Sequence, residues 1–373
     1  MTIKDADISG NGSGFNITTS GSITLQDLII DNCDLTAAGN LGGGVYVGST
    51  STVTVDRCIF KNNNSSNTST SYGTCVYTLG TTTVQNCLLY DNSVLYTGDP
   101  STGHIHTKTG TLNVKNCTIT ENTDASVSYN YDGDVYVESG IANITNSILY
   151  NNGGDDNVFR YGGTASISYS LYDDGVGGTV TTTTGNIVNT DADPIFMDVT
   201  TDDFRISAIS PCREKGTNTS VPTVDLNEST RGSSGTNTGS SYDMGCYEQS
   251  CVSGIYYVND NSTTGDVWVS AVGNNSNAGT TIAPYLTLGA ALKNCGCAGN
   301  TIRVDAGSYS EDNFIVSTDA TTGGLSIVGA SNLLTIFDGD VDAVTTERFM
   351  TINVDADNIS ISDMTIKDAD ISG

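Results

Sequence analysis

A short signature recurs along the first half of the chain: Val55-Asp-Arg-Cys58, Val84-Gln-Asn-Cys87, Val114-Lys-Asn-Cys117 and Ile144-Thr-Asn-Ser147. Successive copies lie 29 to 30 residues apart, and each is followed, five positions on, by an asparagine: Asn63, Asn92, Asn122 and Asn152. Leu25, Leu28 and Ile30 form an earlier copy with Cys33 at the asparagine position. Ile167 and Ser170 form a later, shorter one, and Ile361, Met364 and Ile366 fit the same template. A second four-residue segment keeps the same period: Gly44-Val45-Tyr46-Val47, Thr74-Cys75-Val76-Tyr77, His104-Ile105-His106-Thr107 and Asp134-Val135-Tyr136-Val137. Two-residue alternation places Val45, Cys75, Ile105 and Val135 on one face and Tyr46, Val76, His106 and Tyr136 on the other.

Segments this short, cut by Gly, Asn and Asp and without helical periodicity, exclude a helical solenoid. They leave no room for helical crossovers. Equivalent positions stack from copy to copy in a parallel β-solenoid, with rungs ~4.8 Å apart. An aliphatic column then runs inside. Beside it lies a column of small buried residues, Cys58, Cys87, Cys117 and Ser147, which as an odd run of three thiols cannot all pair. Asn63, Asn92, Asn122 and Asn152 form a third column at a turn. Asparagine suits it by tolerating left-handed φ and by bonding its amide to the next rung's amide.

A longer period encloses the short one. Residues 1–10 and 364–373 are the same decapeptide, MTIKDADISG, so the chain reads as one 363-residue period of a tandem array plus a ten-residue overlap. On that reading Met1 is internal, and the absence of a leader says nothing about export. The chain divides into rungs over 1–190, a turn-rich closing segment over 191–251, an opening segment with one short helix over 252–300, and the first rungs over 301–373. The helix is expected at Leu288–Lys293, before a strand at Thr301–Asp305. The natural unit starts near Cys251 and ends near Ser250.

The order of pieces from Tyr256 to Asp312 resembles that of the right-handed parallel β-helix proteins of bacterial surfaces, on the pectate-lyase superfold. The pieces are a strand, a Gly/Asn-rich loop, Pro284-Tyr285 leading into a helix, and Ile302-Arg-Val-Asp-Ala-Gly307-Ser-Tyr309. Asp193-Pro-Ile-Phe196, Ser210-Pro-Cys212 and Asp243-Met-Gly-Cys-Tyr-Glu248 resemble the family's closing pieces. With the rungs, the resemblance covers nearly the whole chain. Cys212 and Cys246 both stand where the family has alanine, which implies a local disulfide. The resemblance implies an all-β, right-handed parallel β-helix with a short capping helix. Tandem copies resemble the giant secreted adhesins and surface fibres of gliding bacteria, which implies an extracellular structural role at the bacterial cell surface. A polysaccharide lyase or hydrolase, or a glycan-binding module, is the alternative.

The charge narrows the partners. With 14 basic against 42 acidic residues the net charge is −28, which argues against nucleic acid, whose phosphates need clustered Lys and Arg. No apolar run is long enough to span a membrane. A lyase of this superfold needs a carboxylate cluster for Ca²⁺ with a nearby Arg or Lys. The acidic pairs Asp155-Asp156, Asp173-Asp174 and Asp202-Asp203 fall at turns, and Arg57, Lys61, Lys108, Lys115 and Arg160 are scattered. No catalytic residue, metal ligand or cofactor is therefore assigned. Ca²⁺ bridging of the acidic surface has no sequence motif behind it. His104 and His106 read as two surface imidazoles rather than a metal site, for which a third ligand such as Asp134 on the next rung would be needed. The Tyr46/Tyr136 face reads equally as a platform for sugars or as a packing surface. Cys251 pairs with Cys295 or Cys297 to pin the junction between units. The expected partners are further copies of the chain, joined head-to-tail in covalent tandem rather than as separate subunits, and surface glycans.

Overall fold

In the computed structural model the described residues are 1–6, 11–36, 39–65, 72–94, 103–124, 133–154, 156–188, 193–232, 242–311, 314–316, 324–338, 348–352 and 358–367. They fall into two compact units. The first contains 1–194, 214–232 and 240–248; the second contains 195–213 and 249–373. The 191–251 stretch, taken as one closing segment in the sequence, is thus shared between them.

In the first unit the rungs pair in parallel and in register. Eight strands, from Thr2–Lys4 through Ile29–Asp31, Ile59–Lys61 and Leu88–Tyr90 to Ile187–Val188, form one sheet. A twelve-stranded sheet carries the signature strands Ser22–Gln26, Thr52–Asp56, Thr81–Gln85, Thr111–Lys115 and Ile141–Thr145. It also carries Val45–Val47, Val76–Thr78, Ile105–Thr107 and Val135–Val137, and the long strand Val158–Ser168 joins the two runs. Asn64–Ser65, Ser93–Val94 and Thr123–Asp124 make a third, narrow sheet. Alternation sends Val53, Val55, Val84, Leu112, Val114 and Ile144 into the interior, each at most 1% exposed. This is the all-β parallel β-helix architecture, and its dry aliphatic column is what holds the rungs together.

Two sequence expectations change at the turns. The asparagine column does not itself adopt left-handed φ. The residue before it does: Asn62, Asp91, Glu121 and Asn151 have φ between 52° and 54°. A second left-handed column, Asp27, Arg57, Asn86, Asn116 and Asn146, precedes the thiol column. The residue after each corner must aim its side chain inward, so the corner falls one position earlier. The face assignment is also off by one in a single copy. Val76, not Cys75, pairs with Val45 and Ile105, and Tyr77 pairs with Tyr46 and His106. The amides of Cys75 and Val76 both donate to the His104 carbonyl. Two residues thus oppose one, and Cys75 is the extra residue of a bulge.

The second unit repeats the plan with fewer rungs. Ile255–Val258, Thr301–Val304, Leu325–Gly329 and Ile359–Ser362 form one parallel sheet. Gly307–Tyr309, Thr335–Asp338 and Thr365–Lys367 form another, and Phe314–Val316 pairs with Met350–Ile352. The helix is Leu288–Cys295. Thr287 caps it through its hydroxyl to Ala290 N (3.1 Å), and the Glu311 carboxylate accepts from Leu288 N and Gly289 N (both 2.9 Å). A carboxylate at a helix N-terminus satisfies otherwise orphaned amides and meets the positive end of the dipole. Leu288, Ala291 and Leu292 bury against Val258, Ile302 and Val304, closing one end of this unit's core.

Candidate functional site

Three columns hold the sequence-predicted residues. In the first, the Asn63 amide donates to Asn92 Oδ1 (2.8 Å), Asn92 to Asn122 Oδ1 (2.8 Å) and Asn122 to Asn152 Oδ1 (2.9 Å). Each oxygen also accepts the backbone N–H of the preceding rung's asparagine, at 3.0–3.1 Å. The second hydrogen of each amide reaches back to a strand carbonyl: Ile30, Phe60, Leu89 and Ile119 in turn. Cys33 begins this column, its N–H bonded to Asn63 Oδ1 (2.9 Å). Only a side chain with both an acceptor and two donors can continue such a ladder in both directions.

Cys58, Cys87, Cys117 and Ser147 are fully buried in the second column. Each thiol donates to a strand carbonyl one rung back, of Leu25, Val55 and Val84 respectively, and Ser147 Oγ accepts Cys117 N (3.2 Å). Burial pushes the Cys87 thiol far above its usual pKa, so it stays protonated and unreactive.

The third column is aromatic; it corrects the expectation for the histidines and decides the open alternative at Tyr136. Tyr46, Tyr77, His106, Tyr136 and Phe159 stack at centroid spacings of 5.9, 5.0, 4.9 and 5.7 Å. Tyr72 lies over both Tyr77 and His106. His104 and His106 are not surface imidazoles: they are 1% and 0% exposed. Burial lowers the His104 pKa to about 4 and also lowers that of His106, against which Glu138 acts at 3.3 Å. His104 Nδ1 shares a hydrogen bond with Thr74 Oγ1 (3.0 Å). Asp134 spends its carboxylate on the amides of Asn152 and Asn157 (2.9 and 3.0 Å). Tyr136 is fully buried too, so it is a packing residue and not a platform for sugars. Alternation alone could not reveal this, because the burial comes from neighbours across rungs.

The cysteine expectations resolve as follows. Cys251 and Cys297 are disulfide-bonded within the second unit, beside Ala208, while Cys295 keeps a free thiol 3.4 Å from the Tyr285 hydroxyl. The disulfide implied for Cys212 and Cys246 is not present; both are buried thiols. The physical reason is where each segment packs. Cys246 lies against the rungs of the first unit, its N–H bonded to Thr118 Oγ1 (3.1 Å), whereas Cys212 belongs to the second unit.

The remaining charged candidates are absorbed locally. Asp173 accepts from Asn151 N and Asn157 Nδ2, and Asp203 pairs with Arg205. Asp155 lies outside the described residues. Arg57 bridges Asp27, Asp56 and Glu228, Lys108 pairs with Glu138, and Lys61 sits over Tyr90. Lys115 and Arg160 donate to the carbonyls of Ser220 and Gly163. Among the described residues no group of three His, Cys, Asp or Glu is placed to hold a metal ion.

One packing surface was missed in the sequence. Residues 214–232 and 242–248 run along the second left-handed column. Asn146 exchanges bonds with Thr217 (2.7 and 2.8 Å), Asn116 Nδ2 donates to the Asp243 carbonyl (3.2 Å), and Asn86 Oδ1 accepts from Arg231 (3.0 Å). Arg231 is buried against Glu248 (3.2 Å). The visible signal was the asparagine before three of the four column residues, Asn86 before Cys87, Asn116 before Cys117 and Asn146 before Ser147.

A family model described as a right-handed β-helix region matches residues 1–192, just over half of the chain. The chain belongs to this right-handed β-helix family. The match spans the rungs of the first unit and gives their winding. Neither a curated protein nor a solved structure matches the chain. Right-handed β-helices host unrelated functions, so membership assigns the scaffold and leaves the activity to the residues.

Proposed function

We propose that the chain is the structural repeat unit of an extracellular bacterial filament or giant cell-surface adhesin, a stiff fibre for surface attachment or motility. The observation that carries this reading is that one peptide occupies an outermost strand twice. Thr2–Lys4 begins the eight-stranded sheet, and the identical Thr365–Lys367 ends the three-stranded one. Polar side chains buried in the rungs are spent on ladders between neighbours, which suits a scaffold whose work is mechanical. Nine or so rungs at ~4.8 Å add roughly 40–45 Å of solenoid per unit. The acidic surface keeps neighbouring fibres apart and soluble. In this reading the unit performs no catalysis and takes no cofactor, and surface glycans are candidate contacts. Electron microscopy of native material tests it: smooth filaments with an axial repeat of one unit are expected, and free copies of this mass refute it. Turnover of polyuronates or neutral glycans by the purified chain would replace it with an enzyme.

A further inference from the structure

The two copies of the terminal peptide present open edges of matching chemistry. Among the described residues Thr365–Lys367 pairs on one side, Ile336 with Thr365, Phe337 with Ile366 and Asp338 with Lys367. Among the described residues Thr2–Lys4 pairs on the opposite side, Thr2 with Ile29, Ile3 with Ile30 and Lys4 with Asp31. Ile366 is left 44% exposed, although its counterparts Phe337 and Ile30 are 1% and 0% exposed. Lys367 reaches Asp338 at 2.6 Å and Lys4 reaches Asp31 at 3.7 Å, and both lysines remain about half exposed. The neighbouring strands Ile359–Ser362 and Ser22–Gln26 also end their paths through their sheets. The corners that follow them agree: Asp363 has φ 60° and Asp27 has φ 57°. Residues 7–10 and 368–373 lie outside the described residues.

We infer that these edges are the two halves of one interface for a second copy of this chain, with Thr365–Lys367 and Thr2–Lys4 as interchangeable occupants of a single shared rung. The inference rests on the repeat-unit reading and adds the joint. At that rung Phe337, Ile366 (or Ile3) and Ile30 stack as one interior column. One lysine stands between Asp338 and Asp31. Carrying the register back along the chain pairs Ile361 with Leu25 and Ile359 with Ile23 across the joint. Because the two peptides are identical, one can replace the other without changing the ladder already present. The replacement adds a ladder on the free side, removing an open edge that otherwise invites unspecific pairing. A covalent array has this rung once; separate chains reach it by exchanging a terminal strand.

Engineered cysteines read the register directly, since the native cysteines are all buried. The full chain carrying Lys367→Cys with Asp31→Cys, and separately Lys4→Cys with Asp338→Cys, is concentrated and mildly oxidised by oxygen. Oxygen takes two electrons and two protons from each thiol pair as the S–S bond forms. A ladder of covalent dimers, trimers and longer chains is expected from one or both pairs. None is expected from Thr365→Cys with Asp31→Cys, displaced two residues along the strand. Sedimentation of the unmodified chain is read alongside, with mass expected to grow with concentration and to stop growing in the Lys4→Glu/Lys367→Glu variant. Monomers throughout, or equal cross-linking of the displaced pair, overturn the joint. If native filaments still show a one-unit axial repeat in that case, the fibre reading survives and only the joint is lost. Native material consisting of free copies refutes the fibre reading whatever the cross-links show.

Discussion

Replacing Asn92 by alanine removes the middle of the amide ladder and separates a structural ladder from incidental polarity. The side chain makes five hydrogen bonds: to the Phe60 and Tyr90 carbonyls, to Asn122 Oδ1, and from the backbone and side-chain nitrogens of Asn63. Asn63 Nδ2 keeps its bond to the Ile30 carbonyl, but the Asn63 backbone N–H faces a dry interior without its acceptor. One orphaned buried donor costs about 1–3 kcal/mol, and the other lost bonds about 1 kcal/mol each before relaxation. These sum to about 5–7 kcal/mol before relaxation, and relaxation of the neighbouring groups should bring the observed loss to about 3–5 kcal/mol. Asn152→Ala, at the half-exposed end of the same column, lets water reach the vacated groups and should lose only about 1–2 kcal/mol. Asn92→Asp tests the donors specifically. Its carboxylate can accept from Asn63 but would face the oxygens of Phe60, Tyr90 and Asn122. That site raises the aspartate's folded pKa, so the variant should be weakest at neutral pH and recover as pH falls through that raised value. Urea unfolding followed by circular dichroism supplies the midpoints, compared at unchanged slope. Equal losses for Asn92→Ala and Asn152→Ala, or an Asn92→Asp variant as stable as the parent at pH 7, would refute the ladder as a source of stability.

Thiol labelling gives a count. The folded chain should resist maleimide, and unfolding without reductant should expose eight reactive thiols; six would restore the Cys212–Cys246 bond. His104 gives a pH slope. Its folded pKa is depressed to about 4 from the usual 6.5, so the unfolded chain takes up the proton first as pH falls. Its contribution to stability is full above 6.5 and is lost between 6.5 and about 4. That gap is worth about 3 kcal/mol. Denaturation of the parent and of His104→Gln across this range should differ in slope accordingly, and parallel curves would refute it. Arg231→Met should cost about 3–5 kcal/mol by stranding the buried Glu248 carboxylate, and adding Glu248→Gln should return part of it. Calorimetry of the single and double variants shows whether the two effects couple as a pair or merely add.

The rungs were legible because they depend on spacing. Valine, cysteine and asparagine return at one interval, and a column of like residues is a local pattern repeated. The helix was legible from Leu288-Gly-Ala-Ala-Leu292 for the same reason. What escaped depended on contacts between distant residues or on one extra residue. Cys75 shifts its copy because two amides share the His104 carbonyl, and no propensity marks that bulge. The left-handed corners carry Arg57 and Glu121 as well as asparagine, so composition pointed to the wrong position. His106 looked exposed because alternation assigns a face and not what covers it. Cys212 and Cys246 looked like partners because they share a closing segment, yet the chain divides between them.

The Cys251–Cys297 bond acquires a meaning under tension. A pull along the chain peels a solenoid from a free end, each rung being held chiefly by its neighbour. Contour length is released as the rungs unwind. The disulfide closes a loop of sequence separation 46, which at ~3.5 Å per residue withholds roughly 160 Å of contour from any such extension. The helix Leu288–Cys295 and the strand Ile255–Val258 lie inside that loop. Force unravelling the chain therefore meets a covalent stop at this bond, and a reducing environment would lengthen the chain's reach before it broke.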